Sequence, residues 1–263
     1  MEGVWMEHGF RRRQLLGRGG FSRVYCVEES ETGRYYACKV SGNRELLKRE
    51  AEFLREAVHP LFPGFRDLWE EDETGYLVTD FVPGSSLESL LERRGRFSEA
   101  QVARIGMELA EGLLFLHERG GGLIFRDVKP ANIMIRQDGR IKLLDIGCAC
   151  RIGESRAGIA GTPGYAAPEQ LEGSRGVTVR CDVYGLGMTL KIIAGGGGGR
   201  GRLSRVIAAC TRQEPSRRLP DMRSVLGELS GCGRGKCRMP QTELSRSGIL
   251  VQKNIWESSW KTP

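Results

Sequence analysis

The chain has 263 residues, 40% apolar and 28% charged, with a net charge of +7; this is ordinary globular usage, long enough for one large domain or two lobes. No run of about 18 apolar residues occurs, and the start, MEGVWMEHGFRRRQ, has no apolar leader stretch, so neither a membrane span nor a secretory signal is expected. Eight cysteines without a leader predict reduced thiols and a cytoplasmic location; the basic excess, lacking aromatic-interleaved basic motifs and zinc-finger spacing, predicts a solvated surface biased toward acidic partners rather than nucleic acid.

In chain order, FRRRQLLGRGG, FSRVYCVEE and RYYACKV read as short strands, with Glu29 to Gly33 turning between the last two. ELLKREAEFLREAV carries Leu46, Leu47, Phe53, Leu54 and Val58 among charges, a helical pattern ended by His59-Pro60. GYLVTDFV is an apolar strand closed by Pro83-Gly84. Ser98 and Gln101 form a capping box before Val102, Ile105, Leu109, Leu113 and Leu116 at helical spacing. NIMIRQDGRIKLL predicts a hairpin turning at Asp138-Gly139, and VYGLGMTLKII and LSRVIAAC read as helices. The fold class is α+β: a β-rich part over 1–82, a helical part over 83–230 with a hinge at Pro83–Ser86, and an irregular tail over 231–263.

Chemistry gathers in a few stretches. Gly17-Arg18-Gly19-Gly20-Phe21-Ser22 is a glycine-rich turn whose backbone could approach phosphates; a strand rather than a helix follows, which argues against a dinucleotide fingerprint. Lys39, flanked by apolar residues on the next strand, could hold a polyphosphate if a carboxylate from the following helix kept it oriented; Glu50 is the first choice and Glu52 the fallback. In LIFRDVKPANIM, Asp127 can accept a proton or orient a hydroxyl, Lys129 can neutralise phosphoryl charge and Asn132 offers an oxygen. The hairpin brings Asp145 of LLDIG back beside Asn132, an oxygen pair suited to Mg²⁺.

This order, continued by Ala167-Pro168-Glu169, Asp182 in CDVYGLG and Arg218 in EPSRRLP, resembles the protein kinases over residues 10 to 228. The flavour of FRDVKPANIM and GTPGYAAPEQ is similar to bacterial eukaryotic-like Ser/Thr kinases, with Lys129 and Thr162 carrying the Ser/Thr assignment. The resemblance implies a bilobal fold and γ-phosphoryl transfer from ATP, with Mg²⁺, to Ser or Thr of a protein substrate. It implies Gly17, Gly19, Gly20 and Ser22 over the phosphates, and Lys39 paired to Glu50 on the α- and β-phosphates. Asp127 would be catalytic base, Lys129 a γ-phosphate stabiliser, and Asn132 and Asp145 the metal ligands. Thr79 would be gatekeeper, Asp80 to Val82 the strand along the adenine, and Val24, Ala37 and Met134 its sandwich.

The pattern departs from the family in several places. Phe125 stands where a His is usual and Ile146 where a Phe is usual; both are packing positions, expected to stack with Leu54. Ser22 replaces a loop glycine, the Lys39-to-Glu50 interval is short, and the glycine-rich Ala194–Arg202 leaves little room for a substrate-docking helix. Arg126 is of the kind that grips a phosphorylated activation-segment residue, and Ser155 is the expected autophosphorylation site. A pseudokinase, binding nucleotide or scaffolding without transfer, is the main rival; a small-molecule kinase is disfavoured by GTPGYAAPE, a peptide ledge in protein kinases. Cys148, Cys150, Cys232 and Cys237, with no nearby His, are expected to be free thiols rather than zinc ligands.

Overall fold

The computed structural model describes residues 2–119, 121–154, 160–172, 177–196, 201–232 and 239. A short helix α1 (Glu2–Glu7) leads into β1 (Phe10–Arg18), β2 (Ser22–Glu29) and β3 (Tyr35–Ser41). Helix α2 (Arg44–Glu56) is followed by β4 (Phe65–Glu71) and β5 (Thr74–Asp80). The five strands form one antiparallel sheet in the order β1-β2-β3-β5-β4. Period-2 alternation sorts its faces. Val27, Tyr36, Cys38 and Val78 point into an outer cluster, while Val24, Cys26 and Ala37 face a second cluster beside the cleft.

The outer face is roofed by α1, which the sequence reading did not anticipate. Trp5 is 4% exposed and meets Tyr25, Trp69 and Tyr76 edge-on at 5.7, 6.4 and 5.3 Å between centroids. A helix of fewer than two turns is too short to display a hydrophobic period. Helix α2 begins immediately beyond β3: the Asn43 side chain accepts from Leu46 N at 3.1 Å, capping the tight entry that the short interval demands. Its Leu47, Ala51, Phe53 and Leu54 are buried against Leu77 in the main core.

The chain leaves the sheet through residues 81–84. A Cβ at Gly84 would come within 2.3 Å of the Ile135 carbonyl oxygen, so only glycine allows this approach. The expected hinge is therefore shorter than Pro83–Ser86: Ser85 and Ser86 already form β6, paired with Ile135 and Met134, and Ser86 caps a further helix α3 (Leu87–Arg94). Helix α4 (Glu99–Glu118) starts with the expected box, Gln101 N to Ser98 Oγ at 3.3 Å and Ser98 N to Gln101 Oε1 at 3.0 Å. After β7 (Leu123–Ile124) come the expected hairpin β8 (Ile133–Ile135) and β9 (Ile141–Leu143), turning at Gly139 with φ +76°, then β10 (Cys150–Arg151) beside β7. Helices α5 (Pro168–Leu171), α6 (Arg180–Ile193), α7 (Arg202–Cys210) and α8 (Met222–Leu229) complete the helical part. Leu109 and Leu113 of α4, Leu186 and Leu190 of α6 and Val225 of α8 share its core. No helix among the described residues is long and apolar enough to cross a membrane. Gly197 to Gly199, Ser155 and Cys237 lie outside the described residues.

Candidate active site

Between sheet and helices lies a cleft. Val24, Ala37, Lys39, Glu50, Leu54, Thr79, Asp80, Val82, Asp145 and Ile146, all singled out from sequence, line it. Phe81, inside the Asp80–Val82 strand expected along the adenine, lines it as well, and Pro63, Leu77 and Leu144 line it without any signature beyond apolarity. Met134, expected at the wall, is fully buried behind it among Leu16, Val24, Cys26 and Val82, and Leu144 takes the exposed place. The glycine-rich turn joins β1 to β2 at the cleft's edge. Gly17 pairs with Val24, Gly19 N donates to Ser22 O at 2.8 Å, and the Ser41 hydroxyl donates to Phe21 O at 2.8 Å, tying the tip to β3. The Phe21 ring itself is exposed.

Lys39, on β3, reaches both carboxylates expected near it. Its Nζ is 2.8 Å from Glu50 Oε2 and 2.8 Å from Asp145 Oδ1, which resolves the choice between Glu50 and Glu52 in favour of the buried Glu50. Burial opposes the lysine's charge, but Asp145 and Glu50 outweigh it and hold the ammonium well above the ordinary lysine range. Two carboxylates share one cation, so the site carries a surplus negative charge. Burial pushes the Glu50 carboxyl up to about 7, Lys39 opposes the rise, and the like charge of Asp145 adds to it. Asp145 stands at φ +63° and turns its carboxylate back to Gly147 N. A Cβ on Gly147 would lie 3.1 Å from both Asp145 Oδ1 and Glu50 Oε2 and 3.3 Å from Lys39 Nζ, so a larger residue there would press directly on the array.

The segment after β7 forms a second cluster. Thr162 Oγ1 donates to Asp127 Oδ1 at 2.7 Å, Lys129 Nζ donates to Thr162 Oγ1 at 2.7 Å, and Lys129 lies 2.9 Å from Asp127 Oδ2. Asn132 Nδ2 donates to Asp127 O and Oδ2, both at 3.0 Å. Asn132 Oδ1 is buried with no partner, and Leu144 N donates to Asn132 O at 2.7 Å, which brings Asp145 alongside. An orphaned buried amide oxygen next to a carboxylate suits a hard divalent cation such as Mg²⁺.

This segment is held from beneath. Asp182 of α6 accepts from Phe125 N at 2.8 Å, Arg126 N at 2.7 Å and His117 Nε2 at 2.8 Å. That bracket fixes Arg126 at φ +68°, a conformation a non-glycine residue rarely keeps unaided. His117, at the end of α4, is thus the side-chain support of Asp182; its partner is far along the chain and gives no local signal in the sequence. Phe125 and Ile146 are both buried in the same core as Leu54, and Phe125 stacks on Phe62 at 6.3 Å. Arg218 meets Glu169 with two nitrogens at 2.6 and 2.8 Å. The cysteines described are free; burial raises the Cys26 thiol to about 11 and the Cys148 and Cys210 thiols to about 12. No group of three or more His, Cys, Asp or Glu side chains among the described residues could hold a metal.

Residues 10–196 match the protein kinase domain family. The chain is 31% identical over 195 residues to the human cAMP-dependent protein kinase catalytic subunit PRKX, covering 71% of this chain and 54% of that protein. It is 32% identical to the Arabidopsis thaliana serine/threonine-protein kinase PEPKR2, over 69% of this chain and 38% of the relative. It is 35% identical to the cytokinesis protein sepH of Aspergillus terreus, over 66% of this chain and 13% of that protein. The chain thus spans roughly half or less of these relatives' lengths. They are eukaryotic, and the expected bacterial likeness finds no support in them.

Proposed function

Because this chain belongs to the protein kinase family, we propose that it transfers the γ-phosphoryl group of ATP, with Mg²⁺, to Ser or Thr hydroxyls of a protein substrate in the cytoplasm. The observation that carries this reading is Lys39 held 2.8 Å from both Glu50 and Asp145, an assembled phosphate-binding array rather than a collapsed one. In this reading Lys39 grips the α- and β-phosphates while Gly17, Gly19, Gly20 and Ser22 cover them with backbone amides. Val24, Ala37 and Val82 enclose the adenine, with Leu144 in the place expected for Met134, and Thr79 and Asp80 edge the site. Asn132 and Asp145 would hold the Mg²⁺, which neutralises phosphate charge when bound. Asp127 orients the acceptor hydroxyl and takes its proton, and Lys129, bridged to it through Thr162, meets the charge of the transferred group. Most of the rate comes from positioning and fixed charge. Residues 1–82 and 83–230 act as the two lobes, with 231–263 an appended tail.

The packing of Phe125 and Ile146 supports transfer over the pseudokinase reading, since neither residue removes a phosphate, metal or proton ligand. The test is [γ-³²P]ATP incorporation with Mg²⁺ into wild type, Asp127→Ala and Asp145→Ala. Label in the wild type that disappears in both variants is expected. Stabilisation by Mg-ATP without any label would establish a pseudokinase instead.

A further inference from the structure

Helix α2 is fastened on its far side by two ion pairs that the catalytic array does not use. Arg49 Nη2 donates to Glu154 Oε2 at 2.6 Å. Glu56 takes both terminal nitrogens of Arg151, at 2.6 and 3.0 Å. Glu154 Oε2 also accepts from Arg151 N at 3.0 Å, closing the turn that follows β10. The Arg49 and Arg151 guanidinium carbons lie 5.1 and 5.6 Å from the centre of the buried Phe53 ring, so both cations rest on the same apolar anchor. Burial would raise the Glu154 carboxyl, yet the hydrogen bonds from Arg49 and from the Arg151 backbone, with the fields of Arg49 and Arg126, hold it below the ordinary range.

Glu154 therefore bears on three elements at once. Arg49 sits one residue before Glu50 on α2. Arg151 belongs to β10, which pairs with β7 through Cys150↔Ile124 and so abuts the chain entering Phe125 to Asp127. Arg126, whose Nε donates to Cys148 O at 2.6 Å, contributes to the field on the same carboxylate. Where a kinase is switched by phosphorylation, a phosphate in the segment after the metal-binding aspartate draws arginines together, and the lysine–glutamate pair depends on that helix position. Here a carboxylate belonging to the chain already binds the helix arginine, and the Lys39–Glu50 pair is closed.

We propose that Glu154 is a positioning residue that fixes α2 through Arg49, so that the Lys39–Glu50 pair forms without a phosphate on the segment following Asp145. The proposal rests on the kinase reading above for its kinetic consequence, but not for its structural one.

The test uses the full chain, treated with phosphatase until its intact mass shows no phosphate, and initial rates of [γ-³²P]ATP transfer to dephosphorylated casein. Phosphate-free wild type and Ser155→Ala are expected to keep the untreated rate within about twofold, while Glu154→Gln and Arg49→Gln each lower kcat about tenfold with little change in KM for ATP. The double variant should be no worse than either single one, and the exchanged pair Glu154→Arg with Arg49→Glu should recover most of the loss. Amide hydrogen exchange is read in parallel: faster exchange over residues 44–56 in Glu154→Gln, with α4 unchanged, is expected whether or not the protein transfers phosphate. Loss of activity on phosphatase treatment, or an unchanged kcat in Glu154→Gln, overturns the proposal. If the wild type transfers nothing, the kinase reading fails by itself and the exchange on α2 alone decides: faster exchange upholds the clamp and unchanged exchange removes it.

Discussion

Two buried acid–base clusters in this protein do opposite things with similar parts. Arg218 is saturated: Nε donates to Arg212 O, Nη1 to Glu169 and Arg180 O, Nη2 to Glu169 and Gln213 O, and its guanidinium lies 4.8 Å from the centre of the Tyr184 ring. One cation meets one anion, and burial, which would raise the Glu169 carboxyl, is outweighed by the hydrogen bonds from Arg218, so it lies below the ordinary range. Lys39 faces two carboxylates, the site keeps a surplus negative charge, and Glu50 moves the other way. A closed cluster of matched charge locks α5 to the start of α6 and the loop before α8. An open, unbalanced one waits for a ligand that changes the charge. The difference separates a residue set that holds the fold from one that the fold holds ready.

The comparison breaks most sharply in activity. Lys39→Met should lower kcat by about 10³-fold or more, since it removes fixed positive charge from the proposed phosphate site. Its melting temperature should fall less than that of Arg218→Met, because Glu50, already pushed up to about 7, can take a proton instead of staying buried and charged. Arg218→Met should do the reverse. Leaving Glu169 buried and unpaired costs about 4 kcal/mol by denaturant titration, while the surviving folded fraction still binds Mg-ATP. A large stability loss in Lys39→Met, or none in Arg218→Met, would erase the distinction. Between these extremes lies Asp182→Asn. It keeps the shape but replaces one acceptor oxygen with a donor beside two amides and His117, and should cost about 2 kcal/mol. Because Arg126 relies on that bracket for its left-handed backbone, kcat should also fall more than the affinity for ATP.

How far each cluster could be read from sequence follows from how local it is. Asp127, Lys129 and Asn132 stand within six residues and were legible together. Glu50 was legible because one turn of α2 later Leu54 faces the core, and the structure upholds it with a 2.8 Å bond to Lys39. Strands, the capping box at Ser98 and the Asp138-Gly139 turn were legible through periodicity and turn chemistry. The bracket of His117 on Asp182, 65 residues away, and the clamp of Arg49 on Glu154, 105 residues away, were not. Charged residues on a helix read as solvated until the fold supplies a partner. The outer aromatic cluster was missed for a related reason: Trp5 finds Trp69 and Tyr76 only after the sheet has formed.

The comparison sharpens further through pH. Glu169 lies below its ordinary carboxyl range in the folded state, so its contribution is present at neutral pH and is lost only as pH falls through the acid range. Glu50 has the opposite sign. Its folded value of about 7 exceeds the ordinary value of 4.5, so the folded protein binds more protons than the unfolded chain between them. Its contribution is fully present below the lower value and declines as pH rises toward 7, by on the order of 1 kcal/mol per pH unit. Stability of the nucleotide-free protein, measured by denaturant titration from pH 5 to 8, should therefore carry a downward component that Glu50→Gln removes and Glu169→Gln leaves in place. If Glu50→Gln keeps the full slope, the surplus charge resides elsewhere in the array, and Asp145, which shares Lys39 at the same 2.8 Å, becomes the group to replace next.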